Sequence, residues 1–141
     1  MKKTKLFLIS IFLITVIPTI YVYLEHASVE LDAYDKAKTE TKMIKTLSEA
    51  IFFTSIAFGY LLSIVAMAYF PESRVPYLVI LVGTVAINFL YYFRIYGIPV
   101  LGTEIVITDL STDWRDVVTK IAQQILVIPV TALLILRTKQ K

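Results

Sequence analysis

The sequence predicts an all-α membrane protein of four transmembrane helices, and three observations carry that reading. The 141 residues are 57% hydrophobic and only 18% charged, whereas soluble domains average about 45–50% apolar and about 25% charged. Residues 6–24, 50–70 and 75–93 contain no Asp, Glu, Lys, Arg or His, and 117–136 contains only Lys120 near its start. Each run is close to the roughly 20 residues that cross a bilayer core. Finally, the acidic residues outside these runs fall almost entirely on one side. The runs take more than half of the chain, so residues 1–141 read as a single transmembrane bundle with no room for a separate catalytic domain. The absence of cysteine removes disulfides, thiolate nucleophiles and thiolate metal sites. No basic, aromatic-interleaved patch points to nucleic acid.

The first element begins Met1-Lys2-Lys3-Thr4-Lys5 ahead of the run 6–24. A secretory signal would have a shorter apolar core of 7–15 residues and small residues before its cleavage point. Here Glu25 stands where a small residue is needed for a cut after Ala27, so an uncleaved first span is expected. The following segment, Ser28–Glu49, contains no Gly or Pro and reads as helical. Its apolar residues Leu31, Tyr34, Met43, Ile44, Leu47 and Ile51 recur at helical spacing, which predicts an amphipathic outward extension of span two.

Spans two and three are separated by Pro71-Glu72-Ser73-Arg74, with Pro76 just inside the third. A connection this short admits only an antiparallel helical hairpin, with the prolines ending one helix and opening the next. After span three, Gly97-Ile98-Pro99-Val100-Leu101-Gly102 is rich in breakers, and Glu104–Thr108 is β-branched enough for a short extended segment. Asp109–Asp113 then offers capping residues for a helix beginning near Trp114.

Orientation follows the distribution of Lys and Arg in the short loops. Lys2, Lys3, Lys5, Arg74, Arg137, Lys139 and Lys141 share one side with Glu72, while the other side holds the remaining 10 of the 11 acids together with Lys36, Lys38, Lys42, Lys45, Arg94, Arg115 and Lys120. Both termini are therefore expected in the cytoplasm of a multi-pass cell-membrane protein. Most tyrosines and Trp114 lie near span ends, as an interfacial aromatic belt requires. Tyr60 is the exception, near mid-span.

The polar residues within the spans offer little chemistry. Hydroxyls such as Ser10, Thr15, Thr54, Ser55, Ser63, Thr84 and Thr131 ordinarily satisfy their own helix backbone. Asn88, Gln123 and Gln124 are different, because an amide in hydrocarbon needs a partner. Lys120, Gln123, Gln124 and Ile128 recur at intervals of three, one and four residues and read as one broad helical face. That face, with Trp114 and Arg115 at the outer interface, is the expected contact with another helix or subunit. Pro18 and Pro129 read as packing kinks. His26, followed by Glu30, Asp32 and Asp35, is a weak candidate metal ligand whose spacing does not describe a preformed site. No Ser-His-acid grouping is present.

The hairpin Ala66-Met67-Ala68-Tyr69-Phe70-Pro71-Glu72-Ser73-Arg74-Val75-Pro76-Tyr77 and the stretch Ile107–Asp116 leading into Lys120-Ile121-Ala122-Gln123-Gln124 resemble small multi-span proteins of ammonia-oxidising archaea. In size and architecture these are similar to the accessory X-type subunits of archaeal ammonia monooxygenase, a membrane copper oxidoreductase. The resemblance covers most of the chain in overall pattern and includes no catalytic motif. It implies a non-catalytic accessory subunit, with other integral membrane subunits and lipid as partners and with copper held by those partners. The alternative reading is a small channel, carrier or lipid-binding four-helix membrane protein acting alone.

Overall fold

The computed structural model describes residues 2–70, 72–93, 98–99, 106–107 and 114–138. Four helices account for almost all of them: α1 (Lys2–Asp35), α2 (Glu40–Tyr69), α3 (Val75–Phe93) and α4 (Trp114–Thr138). Between α3 and α4 the two-residue strands β1 (Ile98–Pro99) and β2 (Val106–Ile107) pair antiparallel, Ile98 with Ile107 and Pro99 with Val106. Ile98–Pro99, read from sequence as part of a breaker-rich turn, is thus extended, while Asp109–Asp113 lies outside the described residues.

α1 does not stop at the end of its apolar run. It continues past Leu24 to Asp35, and α2 starts at Glu40, so the helical segment assigned from sequence to α2 is shared between both helices. The reversal falls at 36–39 because Thr39 leaves the helical region (φ −126°, ψ 144°) and its side chain accepts a bond from the Lys42 amide at 3.4 Å, which is the role of an N-cap. Ala37 N–H bonds back to Tyr34 O at 3.0 Å. At the other reversal, Phe70 N–H closes α2 on Ala66 O at 2.8 Å, and Ser73 Oγ accepts from Val75 N–H at 3.2 Å where α3 begins. Pro76 sits in the first turn of α3, where its missing donor costs nothing. Pro18 and Pro129 lie inside α1 and α4, and each removes the donor for the carbonyl four residues earlier.

α1 packs on α2 and α4, and α3 packs on the same two helices, giving a four-helix ring with α1/α3 and α2/α4 as its diagonals. Inward positions recur at three and four residues: Phe12, Val16, Thr19, Tyr23 and Ala27 on α1; Ala57, Tyr60 and Ser63 on α2; Tyr77, Ile80 and Thr84 on α3; Thr119, Gln123, Leu126, Val130 and Leu133 on α4. That is the seam of a knobs-into-holes bundle. The outward faces are apolar as well, with Ile14, Leu62, Val82 and Ile128 exposed. Three of the helices, α1, α2 and α4, are long and apolar enough to cross a membrane, and α3 is a shorter apolar helix.

Candidate functional site

One connected set of polar side chains joins all four helices. Its hub is Gln123, fully buried at 0% exposure. The Gln123 Nε2 group donates to Tyr23 OH on α1 at 3.0 Å and to Tyr60 OH on α2 at 3.2 Å, while its Oε1 accepts from Lys120 Nζ at 3.1 Å. Tyr60 OH then lies 2.7 Å from Thr84 Oγ1 on α3. An amide nitrogen can only donate, so the Tyr60 oxygen accepts from Gln123, while either hydroxyl can be the donor between Tyr60 and Thr84. Both amide protons and the amide oxygen of Gln123 are thereby engaged, as a buried amide in an apolar bundle must be to offset its desolvation.

Lys120 completes the layer one turn away. Its Nζ donates to Tyr23 OH at 2.8 Å and stands 5.4 Å from the centre of the Tyr23 ring and 4.9 Å from that of Tyr91. The Tyr91 ring and two oxygens thus surround the ammonium, which replaces part of the hydration it gives up. The aliphatic stem lets the charge reach these groups from a helix whose neighbouring positions are apolar.

The residues singled out from sequence are distributed differently. Gln123 is in the interior and contacts helices of its own chain, whereas Gln124 is exposed. Ile128, read as sharing a face with Gln123, is 69% exposed. Five residues advance a helix by about 500°, or 140° beyond a full turn, so Gln123 and Ile128 lie on different faces. Trp114 opens α4 at 68% exposure and, with Ile121, Gln124 and Ile128, lies along its outward side. Arg115 falls in the first turn of α4 and its side chain lies outside the described residues. Asn88 Nδ2 donates to Thr84 O one turn back at 2.8 Å. His26 places its ring 5.3 Å from Phe53, and among the described residues no three His, Cys, Asp or Glu come together as a metal site.

Sequence reasoning missed Tyr23 and Thr84 as members of the layer, and grouped Lys120 with Gln123 as part of a face toward another helix or subunit. Ser10, Thr15, Thr19, Ser55 and Ser63 do bond to the carbonyl four residues back, but Thr84 also takes the cross-helix bond. The available signal was Tyr60, the one tyrosine away from the span ends, whose phenol in an apolar run required a partner.

A four-helix membrane-compatible bundle closed by an internal polar layer is the class that the fold and site define. No family model, curated protein or solved structure matches the chain.

Proposed function

We propose that this chain is a non-catalytic structural or accessory subunit of a larger membrane complex, crossing the membrane four times with both termini in the cytoplasm. The supporting observation is that the polar groups of the layer bond to one another across the bundle, from α1 through α4 to α2 and α3. Used in this way they lock the four helices together across the bundle. α3 completes the fourth crossing in this reading: its 19 residues rise about 28 Å, close to the hydrocarbon thickness. α1, with 34 residues, rises about 51 Å, so its acidic end and the start of α2 stand outside the membrane as the amphipathic extension. The paired strands before α4 belong to the second outer connection.

The outward side of α4 is the proposed docking face, from Trp114 at the outer interface to Gln124 among Val117, Ile121, Ile125 and Ile128. The resemblance noted in the sequence would make the complex an archaeal ammonia monooxygenase, with the copper in the partner subunits. Mild detergent extraction from the native membrane, followed by native mass analysis, tests the reading. A fixed stoichiometry with larger membrane proteins is expected, whereas a chain recovered alone that raises liposome permeability would overturn it.

A further inference from the structure

We draw no further inference here: the strongest candidate, the outward-opening cleft between α2 and α3 walled by Phe52, Gly59, Val79 and Gly83 with Tyr60 and Thr84 at its base, carries nothing, because nothing in the structure shows what covers it.

Discussion

The seam where α4 meets α1 and the seam between α2 and α3 are built from similar apolar residues and end differently. Along the first, Leu126, Val130 and Leu133 are each no more than 1% exposed beside Val16 at 0%, and Gln123 and Lys120 reach Tyr23. Along the second, the hydrogen bond between Tyr60 and Thr84 lies beneath an open cleft. In hydrocarbon, apolar side chains gain no hydrophobic advantage by leaving lipid for one another, so close packing and directed polar bonds decide which helix pairs close. The difference teaches that the closed seam carries directed polar bonds from Gln123 and Lys120 as well as close apolar packing, whereas at the open one the Tyr60–Thr84 bond lies beside unfilled space.

The largest effect should therefore come from Gln123→Leu. It removes two donors and one acceptor and leaves Tyr23, Tyr60 and Lys120 short of a partner. At the modest strength of interhelical bonds, with an added cost for the ammonium, the loss should be about 2–3 kcal/mol. Reversible unfolding in mixed micelles would measure it, and a loss below about 0.5 kcal/mol would show that the layer does not hold the ring.

Next come Tyr60→Phe and Thr84→Val, each expected to cost about 1 kcal/mol or less. Their double-mutant coupling isolates the Tyr60–Thr84 bond of the open seam, and about 0.6 kcal/mol is expected. No coupling would mean that this bond does not hold α2 to α3. Gln124→Leu should be smaller still in the isolated chain, within about 0.5 kcal/mol as for surface positions, while weakening copurification of the proposed partners. Comparison with Gln123→Leu separates the docking face from the bundle interior, and equal destabilisation by both would contradict the opposite placements of these neighbours.

Those neighbours also show how far the sequence could be read. The four helices were legible because charge-free runs of this length have few alternatives, and the reversal at 70–76 because two prolines and the three polar residues between them leave room only for a hairpin. The inward face of α4 was not legible. Gln123 and Gln124 differ by about 100° on a helix, and in soluble proteins the apolar stripe would show which one points inward. Here Ile121, Ile125 and Ile128 on the outside are as apolar as Leu126, Val130 and Leu133 on the inside, so apolarity alone does not mark the inward side. The layer could be approached only through its polar members, and recognising it required joining Tyr60 to Gln123, 63 residues apart. The cleft was hidden for a similar reason, since an isolated glycine in a membrane helix marks close approach as readily as empty space.

The smallest expected effect discriminates between those two meanings. If Gly83 were a point of close helix contact, Gly83→Ala would force α2 and α3 apart and destabilise the fold, by about 1–3 kcal/mol on the scale of overpacked cores. The structure instead offers an added methyl open space, and alanine restricts the unfolded backbone more than glycine does. Gly83→Ala is accordingly expected to be neutral or stabilising by up to about 0.5–1 kcal/mol, and to leave the Tyr60–Thr84 coupling intact. Unfolding of this variant beside the Tyr60→Phe, Thr84→Val cycle would check both points. Destabilisation accompanied by loss of coupling would establish that the seam closes at Gly83, leaving the hydrogen bond as part of a packed interface rather than the base of an opening.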